Sequence, residues 1–318
     1  MKLSMFRVLI TGLALCLATG VNAETNKLNY QLKAVEIAEN TYLFEGKTED
    51  FSRKNGGNIL NTAFIVTTDG VVVIDSGPSR RFAEQQRAAI AAVTDQPISR
   101  VYITHHHPDH FLGNQVYEDV PVYALPASIK GIQRDGEMFT DNMYRMVGDW
   151  MLGTKVTVPT QSVQPGVEKL GGHELELIKM QGHTAADLVI FDRTTGVLFA
   201  GDLVFNQRAA TTPHATLKDW FQSLQQLKAL PFKVLVPGHG SVTTDSAPIA
   251  QTKDYLEWLA AILQEGAESG MDMAEVMQTP IPERFSSVNL AGKELQRSVT
   301  HLFPALEEAV LQPVTPEE

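Results

Sequence analysis

Cysteine is almost absent from this chain. One cysteine, Cys16, occurs in 318 residues, and it lies in an opening stretch that reads as an export signal. Lys2 and Arg7 supply a short basic start, residues 8–18 an apolar run, and Val21-Asn22-Ala23 a small-residue cleavage pattern. A chain cut after Ala23 has no disulfide, no thiolate nucleophile and no thiolate metal ligand. A long hydrophobic run is also missing. The apolar stretch falls short of the roughly 20 residues that a stable membrane span needs. The reading is an exported, periplasmic protein with no membrane contact once the signal, residues 1–23, is removed. Positive charge is scarce as well. Lys and Arg number 26 against 37 Asp and Glu, a formal charge of −11, with no basic stripe. Nucleic acid is excluded as a partner, because neutralising phosphates dominates that affinity. A small-molecule substrate is the expected partner, and nothing in the sequence speaks to oligomeric state.

The 43% of hydrophobic residues suffices for one large core. Strand-like runs cover residues 34–37, 42–45, 59–67 and 71–75, the last two joined as a hairpin by Thr68-Asp69-Gly70. A helix is expected over 81–93, with Phe82, Ala89, Ile90 and Val93 on one apolar face, then a buried strand over 100–104. The same grammar returns later. Strands are expected over 175–181, 188–192 and 197–200, a helix over 217–230 and a strand over 233–236. Two similar α/β halves packed sheet on sheet explain this order, and parallel crossovers bring strand carboxyl ends to one edge. Residues 24–245 form the expected catalytic domain. Helices over 248–265 and 292–311 read as a C-terminal helical arm, within residues 246–318, packed on the same domain. The methionine- and aromatic-rich stretch 127–159 reads as core or as a lid over a site.

The chemistry concentrates in Thr104-His105-His106-His107-Pro108-Asp109-His110. His-x-His on an extended segment points two imidazoles the same way, so His105 and His107 can bind one ion. Asp109 and His110, on the following turn, can reach a second. Further candidate ligands stand at strand ends beside small residues: His183 after Gly182, Asp202 after Gly201, and His239 between Gly238 and Gly240. Carboxylates among imidazoles suit zinc better than iron or manganese. His106, Tyr144, Trp150, Arg208 and His214 are candidates for substrate contact.

His105-x-His107-x-Asp109-His110, followed in order by His183, Asp202 and His239, resembles the metallo-β-lactamase-fold hydrolase superfamily. The resemblance runs from about residue 35 to 240, and Val73-Ile74-Asp75-Ser76-Gly77 matches that family's strand-end aspartate motif. It implies an α/β fold, a four-layer αβ/βα sandwich, with a dinuclear zinc site along its edge. By position, His105, His107 and His183 would hold the first ion and Asp109, His110 and His239 the second. Asp202 would bridge them, and Asp75 would fix a histidine ring from behind. Asp109 and Asp202 are the expected catalytic carboxylates. β-Lactamases of this fold carry cysteine or serine where this chain has Asp202, which argues against β-lactam hydrolysis. The helix of Trp220 leading into Val236-Pro237-Gly238-His239-Gly240 is similar to the exported quinoprotein relay system zinc metallohydrolases. The implied activity is hydrolysis of an ester, thioester, lactone or amide by a hydroxide between two ions. Two other readings stand beside it: a mononuclear iron persulfide dioxygenase, which the same superfamily contains, and a non-catalytic metal-binding accessory of a periplasmic oxidase.

Overall fold

The computed structural model describes residues 28–310; residues 1–27, which include the expected export signal, and residues 311–318 lie outside them. Twelve strands form two sheets among the described residues. The first sheet runs in spatial order β1 (Val35–Ala38), β2 (Thr41–Phe44), β3 (Thr62–Thr67), β4 (Gly70–Ile74), β5 (Ile98–Tyr102), β6 (Val122–Ala124) and β7 (Gln161–Ser162). The second holds β8 (Gly166–Leu170), β9 (His173–Met180), β10 (Asp187–Asp192), β11 (Val197–Phe205) and β12 (Val234–His239), in the order β12-β11-β10-β9-β8.

Period-2 alternation builds the layers. Val72, Ile74, Leu188 and Ile190 point into the core between the sheets. Their neighbours Val71 and Val73 face the helices over the first sheet, and Val189 and Phe191 face those over the second. Each face therefore buries its own stripe, as strands covered on both sides require. α1 (Arg80–Ala91) and α3 (Pro126–Val147) cover the first sheet, with the short α2 (Pro108–Phe111) between them in sequence. α4 (Leu217–Ala229), α5 (Ala247–Glu268), α6 (Met273–Val276) and α7 (Ala291–Val310) cover the second. The expected αβ/βα sandwich is present, and residues after 246 pack on it as helices. Among the described residues no helix is long and apolar enough to cross a membrane.

Several expectations shift in detail. The run 59–67 is a strand only from Thr62, because the Asn61 backbone N–H donates to the Gly238 carbonyl at 2.8 Å at the other sheet's edge, where its side-chain amide also donates to the Pro237 and Gly240 carbonyls at 2.9 and 2.7 Å. Val93 lies beyond the end of α1 and is exposed; Phe82, Ala83, Gln86 and Ile90 form the buried face instead. β11 does not stop at Ala200 but continues to Phe205, with register irregularities on both sides of Gly201. Asp202 thus sits within a bulged strand rather than at its end. Bulges re-aim side chains in this way beside functional sites. Stretch 127–159 is both core and wall: Phe139, Met143 and Val147 are buried under α3, while Met138 and Met146 line a cavity.

Candidate metal centre

β4 pairs with β5 and β11 with β12 in parallel, so four strand ends meet on one edge of the sandwich. The chain leaves β5 extended, and Pro108 starts α2 immediately after His107. This turn places His105, His107, Asp109 and His110 on one side, all buried.

The side chains form two adjacent donor sets. His105, His107, His183 and Asp202 each offer one atom within 4.8 Å of the others, and Asp109, His110 and His239 do the same. Asp202 faces both. Its Oδ2 lies 3.4 Å from His183 Nε2, 3.9 Å from His105 Nε2 and 3.1 Å from His239 Nε2. Its Oδ1 lies 3.2 Å from His110 Nε2. Asp109 Oδ2 approaches His239 Nε2 at 3.5 Å and His110 Nε2 at 3.7 Å. Room for Asp202 depends on Gly238, where a Cβ would stand 1.9 Å from its Oδ1.

Five imidazoles are each anchored through the nitrogen turned away from the centre. His110 Nδ1 lies 2.8 Å from Asp75 Oδ2, His239 Nδ1 2.7 Å from the Ile59 carbonyl and His183 Nδ1 3.0 Å from the Thr211 carbonyl. His105 Nδ1 meets the Thr104 hydroxyl at 3.0 Å. His107 is turned the other way: its Nδ1 faces His183 Nε2 at 2.7 Å, and its Nε2 meets His214 Nδ1 at 2.8 Å. Asp75 holds its position at φ 61°, a left-handed backbone rarely adopted by non-glycine residues. The Thr104 amide and hydroxyl donate to its two oxygens at 2.8 and 2.9 Å.

The electrostatics suit a cation. Burial holds His105 and His107 well below the usual imidazole range, neighbouring imidazoles adding to it, and lowers His183 to about 3. Their lone pairs are therefore available at neutral pH. Burial opposes the charge of Asp202 as well, yet His239 and His110 hold its carboxyl well below the ordinary value. His110 is raised: burial acts downward, and Asp202, Asp109 and Asp75 outweigh it. His105 Nε2 is buried with no hydrogen-bond partner among the described residues, and the buried His110 Nε2 and Asp202 Oδ1 face only each other, at 3.2 Å and without good hydrogen-bond geometry. Buried polar atoms left bare in this way cost free energy unless something satisfies them. A divalent cation between them fits the donor chemistry.

The centre opens into a cavity of about 610 Å³ whose walls include Phe51, Ile59, Met138, Phe139, Met146 and Pro213. Of the five residues expected at a substrate, Arg208 and His214 line this cavity. Trp150 does not: it is buried in the core, its Nε1 donating to the Arg53 carbonyl at 2.9 Å and its ring against Tyr30. His106 is buried behind His107, and Tyr144 is exposed away from the cavity wall. The anchors Thr211 and His214 were not legible as such, since a polar loop carries no periodicity.

The sequence profile of the Metallo-beta-lactamase superfamily matches residues 55–239. A Beta-lactamase-like protein 2 homolog of Caenorhabditis elegans is 27% identical over 198 residues, 62% of this chain and 60% of that protein. An acyl-coenzyme A thioesterase of Gallus gallus is 28% identical over 212 residues, covering 58% of this chain and 73% of its own. Among solved structures, a metallo-beta-lactamase from Pontibacter korlensis superposes with a TM-score of 0.59 at 23% identity, over 71% of this chain and 99% of that one.

Proposed function

Since the chain belongs to the metallo-beta-lactamase superfamily, we propose that it is an exported, metal-dependent hydrolase with two zinc ions, cleaving an ester, thioester, lactone or amide. The observation that carries the reading is the Asp202 carboxylate facing both donor sets, beside buried nitrogens that lack partners. His105, His107 and His183 would hold the first ion, Asp109, His110 and His239 the second, and Asp202 would touch both. When bound, such ions polarise a carbonyl and lower the pKa of water from about 15.7 toward about 7. Asp109 lines the cavity and would orient an attacking water and take its proton. Phe139 and Met146 give the cavity an apolar wall, against which an acyl group would pack. The thioesterase name of the Gallus gallus relative puts acyl thioesters first among the candidate substrates. Asp202, where β-lactamases of this fold have cysteine or serine, weighs against β-lactams.

The test is a panel of acyl thioesters, esters, lactones and β-lactams with the zinc-loaded protein, repeated after chelation and after zinc is restored. Turnover of a thioester or ester that follows the metal is expected. A fully loaded protein inert across the panel would overturn the hydrolase reading, and iron with oxygen uptake on a persulfide would replace it.

A further inference from the structure

We propose that the loop 208–216, clamped by the C-terminal helix α7, is a positioning element for the first donor set, with His214 as its working residue; the proposal rests on the metal-centre reading above. Two of the three imidazoles in that set lean on this loop. The Thr211 carbonyl accepts from His183 Nδ1 at 3.0 Å. His214 Nδ1 lies 2.8 Å from His107 Nε2. Because His107 turns Nδ1 toward the set, a cation there leaves the ring proton on Nε2, and His214 Nδ1 accepts it. Partners of this kind fix ring orientation and tautomer.

The loop itself has little that would hold it. Proline stands at 213, and its regular structure is confined to a single bridge between Arg208 and Asn289. The Thr216 amide donates to the Gly182 carbonyl at 2.8 Å and Gln251 Nε2 to the Arg208 carbonyl at 3.4 Å, and the remaining ties come from the segment that begins α7. The Ala209 amide donates to the Asn289 carbonyl at 2.9 Å. Thr212 Oγ1 meets Ser298 Oγ at 2.7 Å, both hydroxyls buried. Arg208, also buried, stands 3.6 Å from the fully buried carboxylate of Glu294, and its guanidinium reaches Thr211 Oγ1 at 3.5 Å. Asn289, Glu294 and Ser298 all lie beyond the family-matched residues 55–239. The helical arm of this chain therefore braces a metal site built by the shared sandwich.

The test measures zinc affinity rather than turnover, by competition with a chromophoric chelator. A His110→Ala background isolates the first set, and a His105→Ala background isolates the second. Adding His214→Ala should weaken zinc at the first set by about 10-fold or more and leave the second unchanged. His214→Asn, whose carbonyl oxygen can stand near the Nδ1 position, should restore most of the loss. Ser298→Ala should give a smaller loss, again at the first set alone, with an unchanged circular dichroism spectrum. Cobalt substituted at the first set should show an altered absorption band in His214→Ala. Unchanged affinity in His214→Ala, equal loss at both sets, or no rescue by asparagine would overturn the proposal. Failure of the unmodified protein to bind zinc would instead remove the metal-centre reading beneath it.

Discussion

The two donor sets differ in what stands behind them. His110 and His239 are backed by the sandwich, through the Asp75 carboxylate at the end of β4 and the Ile59 carbonyl. His107 and His183 are backed by neutral groups on a loop, His214 and the Thr211 carbonyl. A charged acceptor locked in a strained backbone and a loop strapped to a distant helix are different solutions to one problem: keeping an imidazole lone pair on target. The first comes with the fold. The second depends on the helical arm that follows residue 246.

Asp202 is shared by both sets, so changing it should erase the difference and have the largest effect. Asp202→Asn keeps the size and one oxygen but removes the negative charge between the sets. We expect kcat to fall roughly 10²-fold or more, with the second ion lost before the first during dialysis. Wild-type turnover in this variant would show that the carboxylate is not shared.

Asp75→Ala sharpens the comparison, since it strips the anchor from one set only. Zinc affinity at the second set should drop about 10-fold or more, read by chelator competition, while the first set keeps its ion. Loss at both sets would mean that Asp75 supports the whole edge through Thr104.

Asp187 lies under the loop of His183 and gives that side of the centre its own pH dependence. Burial raises its carboxyl to about 7, against hydrogen bonds from Thr184 that act downward. Its unfolded value is near 3.8, so between about pH 4 and 7 the folded state binds the extra proton. This carboxyl therefore contributes stability that is lost as pH rises through that window, against the opposite contribution of His105, His107 and His183, whose lowered values make stability rise with pH toward 6.5. Urea unfolding of the metal-free protein from pH 4 to 8 checks this. The stability of the wild type relative to Asp187→Asn should fall across that window, and a difference that does not change with pH would assign the dependence to other groups.

The smallest effect is expected at Tyr144, exposed on α3 outside both sets. Tyr144→Ala should leave metal content unchanged and stability within about 0.5 kcal/mol. A large rise in KM would place it at the substrate after all.

Much of this comparison could be read before any coordinates, and the unreadable part has a physical cause. The run from His105 to His110 is legible because an extended segment fixes where consecutive side chains point. The layers are legible because Val71 to Ile74 and Leu188 to Phe191 alternate with period 2 between two faces, all of them buried. In the sequence Asp202 reads as lying at a strand end because Gly201 looks like a stop. In the fold Gly201 takes φ 52° and the strand resumes. Asn61 sits in an apolar run that looks like strand, yet its hydrogen bonds run to the opposite sheet. His214 and Thr211 have neither periodicity nor a motif, and only tertiary closure brings them behind His107 and His183. Trp150 reads by residue type as a substrate contact, whereas packing on Tyr30 puts it in the core.

The central claim, two ions sharing Asp202, is tested most directly by counting metal. Elemental analysis of the purified protein, run beside its Asp202→Asn variant and with thioester turnover measured on the same samples, reads it in one step. The account predicts about two zinc ions per chain in the wild type, with activity reaching its maximum only as the second binds. In the variant it predicts about one ion and little turnover. Full activity at one ion per chain would contradict it.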